Sequence, residues 1–227
     1  AVAVRLGQEG MRVLLTARRL EKLKQVKASV ENEGGQAEII QADLENEEER
    51  HVLFARSLAL GEVDVLVNNA GFGWYGYYAD MPWETAQSMI RLNVEAAAQL
   101  TYLFLGHMQK RGTGHLIHIS SISGAFPNQG TSAYSASKAY INTLSTVLHR
   151  ELRHTPIHSS LVLPGPVATE FFDHAANSLG GRSIPAARFA VNPQRVARCV
   201  WSLLSHPRRS AYVPWWLGAA PRVELLF

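Results

Sequence analysis

Tyr134 and Lys138 stand four residues apart in "SAYSASKAYIN", a spacing that brings two side chains together on one face of a helix. An ammonium beside a phenol favours the phenolate and lowers the tyrosine pKa from about 10 toward neutrality. A tyrosine tuned in that way is a competent general acid or base. Ser120 and Ser121 close the apolar run "HLIHIS" and its neighbour, Ser121 thirteen residues before Tyr134; a hydroxyl there can reach a substrate oxygen. Asn93 lies inside "MIRLNVEAAA", where an amide among apolar neighbours needs a buried partner. "NNAG" ends another apolar run with Gly71, a residue that lets backbone approach a ligand closely.

Such residues need elements to hold them, and the chain alternates strand-like and helix-like segments. After an opening helical stretch, "RVLLTA" is a short β run, and "LEKLKQVKASVENE" has helical spacing that stops at Gly34 and Gly35. "AEIIQA" is strand-like, "NEEERHVLFARSLALG" is a helix with its acidic residues first, and "VDVLVN" is an apolar strand. A long helix is predicted over Trp83 to Lys110, then the strand "HLIHIS", a helix from Ala133 to Arg153, the strand "HSSLVL" and a helix from Pro193 to about Ser205. This order predicts an α/β fold: a Rossmann-like, doubly wound parallel sheet in a three-layer α/β/α arrangement, one domain over residues 1–227. In such sheets ligands bind beyond the carboxyl ends of the strands. The segments there are "ARR", "ADLE", "NNAGFGWYGYY", "SSISGAF" and "PGPVATEFF". The one long irregular stretch, residues 171–192, is a candidate lid over the substrate.

Taken together, "NNAG" at 68–71, the asparagine of "LNV" at 93, the serine of "ISSISG" at 121, "YSASK" at 134–138 and "PGPVAT" at 164–169 resemble the short-chain dehydrogenase/reductase family in order and spacing. The resemblance runs from the opening helix to about Pro214. It implies that Tyr134 passes a proton to or from a carbonyl oxygen as hydride moves at the nicotinamide. Lys138 would hold the nicotinamide-ribose hydroxyls and depress the tyrosine pKa, Ser121 would bond the substrate oxygen, and Asn93 would hold a water linking Lys138 to solvent. Ser120 is the rival for the serine role, and the thirteen-residue offset favours Ser121.

The same resemblance places Asn69, Ala70, Gly71, Asp43, Leu44, Pro164, Gly165, Val167 and Thr169 against the cofactor; Asp43 reads equally as a cap of the helix after it. Relatives that use NAD carry an acidic residue where this chain has Ala17, followed by Arg18 and Arg19. Two guanidiniums suit a 2′-phosphate, so NADP(H) is expected over NAD, with surface solubility as the plainer account of the pair. Phe72, Trp74, Phe126, Phe171 and Phe172 are candidates for an apolar substrate pocket, about half of the aromatic rings in these loops being expected to pack on the protein instead. No Lys or Arg stands in 72–82 or 122–132, which counts against a carboxylate or phosphate clamp on the substrate.

The implied function is an oxidoreductase, a carbonyl reductase or its reverse, interconverting a ketone or aldehyde and an alcohol on a small lipophilic molecule. The alternative is a non-catalytic NADP-binding sensor or dimerisation module on the same fold; it calls for a missing catalytic residue, and none of the four is missing. A homodimer or homotetramer through the two long helices is expected by analogy with the family.

Composition limits the remaining classes. Apolar residues make up 47% and charged residues 18%, which excludes a disordered or fibrous chain. Cys199 is the only cysteine, so no internal disulfide forms and a cytoplasmic location is expected. The net charge of +3 is spread without basic runs, so nucleic acid is not an expected partner; no metal site is expected either. "AYVPWWLGAAP" is too short and proline-broken to span a bilayer, and the closing "WWLGAAPRVELLF" is expected to pack on the protein. The opening "AVAVRLGQEGMRVLLTARR" resembles the end of the family's first helix and its second strand. The family's leading strand and glycine-rich turn, which bind the pyrophosphate, are not in the sequence. The chain is therefore read as N-terminally incomplete, with a hole expected in the middle of its sheet.

Overall fold

In the computed structural model, which describes residues 1–177 and 179–220, parallel strands alternate with helices along the chain. Helix α1 (Val2–Gln8) leads into β1 (Arg12–Ala17), followed by α2 (Leu20–Asn32), β2 (Gln36–Gln41), α3 (Glu47–Ala59) and β3 (Val65–Asn68). Next come α4 (Trp83–Ile90), α5 (Ala97–Arg111), β4 (Gly114–Ile119), α6 (Ser132–Glu151), β5 (Ile157–Pro164), α7 (Phe171–Asn177), α8 (Pro193–Ser205) and β6 (Ser210–Val213).

Local sequence explains the boundaries that matter. Asn46 caps α3 by accepting from the amides of Glu48 and Glu49, and three glutamates fill the first turn, where the helix dipole favours negative charge. Asn192 caps α8 in the same way, with Pro193 at the first helical position.

The strands form two hydrogen-bonded sets, β1–β2 and β3–β4–β5–β6, all parallel. Between them lies a cavity whose walls include Val13 to Leu15 on one side and Val65 to Val67 on the other. Helices cover both faces: α1, α2 and α8 on one, α3, α5 and α6 on the other. Alternate side chains of one strand serve opposite cores. Leu116 of β4 joins Ile40, Leu53, Phe104 and Met108, whereas Ile117 joins Leu6, Val162, Val200 and Leu203. Both β4 residues are fully buried, and truncating either to alanine is expected to cost about 2–5 kcal/mol.

Several expectations need correcting. The helix from Trp83 runs to Arg111 but is interrupted at Arg91–Ala96 by a π-helical turn, a feature often found at functional sites. The stretch 171–192 is not irregular throughout, because it holds α7 and a 3-10 turn at Pro185–Phe189; Ser178 within it lies outside the described residues. Strand β6, "SAYV", has no apolar alternation to announce it and is formed by pairing with β5. The closing segment packs only in part: Leu217 sits against Gly165, while Trp215 and Trp216 are 83% and 59% exposed. Residues 221–227 lie outside the described residues.

Candidate active site

The carboxyl ends of β3, β4 and β5 deliver "NNAG", the serine pair and "PGPVAT" to one cavity, and α6 brings Tyr134 and Lys138 to the same wall. Ser121 lies beside the Tyr134 side chain, where its hydroxyl favours the phenolate, and it accepts from the amide of Ser123 at 3.1 Å. Ser120 is committed elsewhere, donating to the Lys138 carbonyl at 3.1 Å. The structure thus brings together Ser121 rather than Ser120 with the phenol.

Lys138 Nζ lies 5.9 Å from the centre of the Tyr134 ring and donates to the Ile119 carbonyl at 3.2 Å. Burial lowers the Lys138 pKa to about 8. The expected depression of the tyrosine pKa is reversed: burial raises it to about 12, with the neighbouring Ser121 hydroxyl opposing. Desolvation penalises the phenolate, and the ammonium is turned toward a backbone carbonyl at the end of β4. At neutral pH the phenol keeps its proton.

Asn93, 1% exposed, sits in the π-turn. Its Nδ2 donates to the Phe72 carbonyl (2.9 Å) and to Ser137 Oγ (3.1 Å), and its Oδ1 accepts from the Phe72 amide (3.0 Å). Ser137 in turn donates to the Tyr134 carbonyl at 2.7 Å. The amide therefore pins the end of "NNAGF" to the tyrosine's own helix, a role its sequence neighbours did not disclose. Gly71 lies between Asn93 and Lys138. A Cβ there would stand 2.9 Å from Asn93 Oδ1 and 3.4 Å from Lys138 Nζ, so only glycine fits without a shift.

The aromatic residues divide. Phe72, Trp74, Phe126, Phe171 and Phe172 all line the cavity. Phe171 packs on Tyr134 with ring centres 5.4 Å apart, and on Phe172 at 5.7 Å. Gly73 is squeezed beneath this pair: an added Cβ would lie 2.5 Å from Phe171 Cζ and 3.2 Å from Tyr134 Cδ2. Trp74 is only 3% exposed, and its indole N–H donates to the Leu179 carbonyl at 3.1 Å. Trp74 is thus an anchor for the 171–192 segment more than a free pocket wall. The Arg182 amide donates to the Tyr75 carbonyl at 2.9 Å, a second tie from the same loop.

Cations gather where β1 ends. Arg18, Arg19 and Lys22 line the cavity with Glu170. Arg18 Nη1 is 3.1 Å from Glu45 Oε1 and 3.9 Å from Asp43 Oδ2. Arg19 Nη2 and Lys22 Nζ hold the two oxygens of Glu170 at 2.8 Å and 2.9 Å, and those bonds, Lys22 first, lower the Glu170 pKa. Lys22, Glu170, Ser137 and Glu45 were missed in the sequence; Lys22 alone had a local signal, three residues past Arg19 on a helix. Ala42 and Leu44 line the cavity and Asp43 does not; Asp43 Oδ1 accepts from the Glu45 amide at 3.0 Å, while the helix cap is Asn46. Asn69, Ala70, Pro164, Gly165, Val167 and Thr169 line the cavity, with Val167 held in a bridge to Val191.

The family profile described as short chain dehydrogenase matches residues 1–179. The chain belongs to the short-chain dehydrogenase/reductase family. A very-long-chain 3-oxoacyl-CoA reductase of Anas platyrhynchos is 35% identical over 175 residues, covering 75% of this chain and 56% of that protein. The chain thus spans little more than half the length of that relative. Among solved structures, a short-chain dehydrogenase of Sphingobium yanoikuyae in complex with NADPH superposes with a TM-score of 0.86 at 25% identity, over 99% of this chain and 86% of that one. An actinorhodin polyketide ketoreductase with NADPH gives 0.84 at 29% identity, over 96% and 91%. Both of these structures hold NADPH.

The residues of this chain fit such a group. Guanidiniums and an ammonium, a glycine with no room for a Cβ and the Ser121–Tyr134 pair all border one cavity of about 2350 Å³. Ligand pockets commonly measure about 300–1,000 Å³; this volume includes the space between β1 and β3.

Proposed function

We propose that the protein is an NADP(H)-dependent oxidoreductase that interconverts a ketone or aldehyde and an alcohol on a small lipophilic substrate, with Tyr134 as general acid and base. The observation that carries the reading is the meeting of Ser121, Tyr134 and Lys138 in one cavity that also holds Arg18, Arg19 and Lys22. Arg18, Arg19 and Lys22 would take the 2′-phosphate, Asn69 to Gly71 and Pro164 to Thr169 would line the dinucleotide, and Lys138 would hold ribose hydroxyls. When bound, the cofactor supplies or accepts the hydride.

The protein's own residues handle the proton. Ser121 donates to the carbonyl oxygen and orients it toward Tyr134. The Tyr134 O–H then gives its proton to that oxygen as negative charge develops there, and the Lys138 ammonium, where protonated, steadies the phenolate left behind. Reduction suits a phenol that burial keeps protonated at neutral pH; the oxidative direction calls for the phenolate and gains with rising pH. Phe171, Phe172 and Phe126 favour an apolar substrate, and the 171–192 segment, anchored by Trp74, serves as its lid. Exposed Ile90, Tyr102, Tyr140 and Val147 on α4, α5 and α6 support a homo-oligomer through those helices. No described helix is long and apolar enough to cross a membrane, and the lone cysteine agrees with a cytoplasmic location.

The test is oxidation of NADPH by the full-length protein, followed at the nicotinamide absorbance across a panel of apolar ketones and aldehydes. Turnover with NADPH well above that with NADH supports the proposal. Cofactor binding with no turnover on any carbonyl would favour the sensor reading.

A further inference from the structure

Glu170 follows Thr169 directly and precedes Phe171, the first residue of α7, so it stands between the cation cluster and the ring that covers Tyr134. Its two carboxylate oxygens take Arg19 and Lys22, one cation each, although these residues are separated by some 150 positions in the chain. All three groups are about half-exposed or more. Exposed pairs of this kind exchange partners readily, and a phosphate carries about −1.5 to −2 charges against the single charge of a carboxylate.

We propose that Glu170 is an internal stand-in for the 2′-phosphate on Arg19 and Lys22, and that the phosphate displaces it, freeing the start of α7 and Phe171. This inference rests on the NADP(H) reading above and adds two specificity residues, Lys22 and Glu170. An unphosphorylated dinucleotide brings no anion to that place and leaves the Glu170 contacts closed. The phosphate turns the cations to itself, repels the carboxylate and loosens the backbone one residue from the ring over the phenol. Phe171 is tied there by its amide to Thr169 Oγ1 at 3.4 Å and by its ring to Tyr134. Recognition of the phosphate and access to the tyrosine thereby become linked events.

The test uses adenosine 2′,5′-bisphosphate and adenosine 5′-monophosphate with the full-length protein, reading affinity by calorimetry and amide hydrogen exchange in residues 171–177. In the unaltered protein the bisphosphate should speed exchange in that helix and the monophosphate should not. Glu170→Gln should bind the bisphosphate about three- to tenfold tighter, the scale of one or two exposed ion pairs, with exchange already fast and unresponsive. Lys22→Met should bind it several-fold more weakly. Equal or weaker binding by Glu170→Gln, or exchange that ignores the bisphosphate, overturns the stand-in role even where Arg19→Ala and Lys22→Met weaken binding. Unchanged affinity in both of those cation variants would instead overturn the NADP(H) reading beneath it.

Discussion

The two ends of this site are built from opposite materials. Around Tyr134 the polar groups are buried, Asn93, Ser121 and Lys138 being at most 7% exposed, and each is tied to backbone within a strand end or helix. Around Arg19 the charges stand in solvent, with side chains 68% and 57% exposed in the Arg19–Glu170 pair. Proton transfer needs fixed geometry and a low-dielectric setting in which small rearrangements shift pKa values. Phosphate capture tolerates flexible side chains and works through charge, at the cost of screening by salt. On the proposed function, the contrast puts chemistry at the rigid end and selection at the soft one.

Variants can break that contrast, beginning where the effect should be greatest. Lys138→Met removes the cation beside the phenol and should reduce kcat by about 10²-fold or more, measured at saturating NADPH; a loss confined to KM would mean that Lys138 only binds. Gly73→Ala places a methyl into Phe171 and against Tyr134. A drop in kcat of about tenfold is expected from displacement of the phenol, with an unchanged circular dichroism melt separating it from unfolding. Arg19→Ala, at the exposed end, should raise the NADPH Kd only several-fold, with the difference shrinking as salt is raised. An effect that survives 1 M salt would place that guanidinium in a drier setting than its exposure suggests.

The rigid end also carries a pH signature. His115 and His118 on β4 are pushed down to about 4 by burial, with neighbouring histidines adding to it. The folded chain keeps them neutral while the unfolded chain protonates near 6.5. Their contribution is thus present above about pH 6.5 and lost as pH falls from there toward 4, by on the order of 3 kcal/mol for fully buried His118. His118 Nε2 has no hydrogen-bond partner among the described residues. His118→Leu should flatten the acid limb of the thermal melt between pH 6.5 and 4, and an unchanged acid limb would argue that this histidine is solvated.

What could be read from sequence was local. Tyr134 and Lys138 share a helix, Ser121 and Gly71 sit at ends of apolar strands, and Pro193 opens a helix; each signal lies within a few residues. The fold followed from strand and helix periods in the same way. The π-turn at Asn93 leaves no periodic trace, since one widened turn hardly shifts the apolar stripe, and "SAYV" becomes a strand only beside β5. The direction of the Tyr134 pKa depended on burial by distant segments, where neighbour spacing gave only the Lys138 contribution. Glu170 meeting Arg19 and Trp74 meeting Leu179 are contacts across 151 and 105 positions, which only the folded cavity brings together.

The division of labour is tested most directly by measuring kcat and the NADPH Kd together for Tyr134→Phe and Arg19→Ala with one apolar ketone. Tyr134→Phe should lose about 10³-fold or more in kcat while keeping its Kd within about twofold, and Arg19→Ala should weaken Kd while keeping kcat at saturation. Turnover by Tyr134→Phe near that of the unaltered protein, or both variants moving both constants together, would contradict the account.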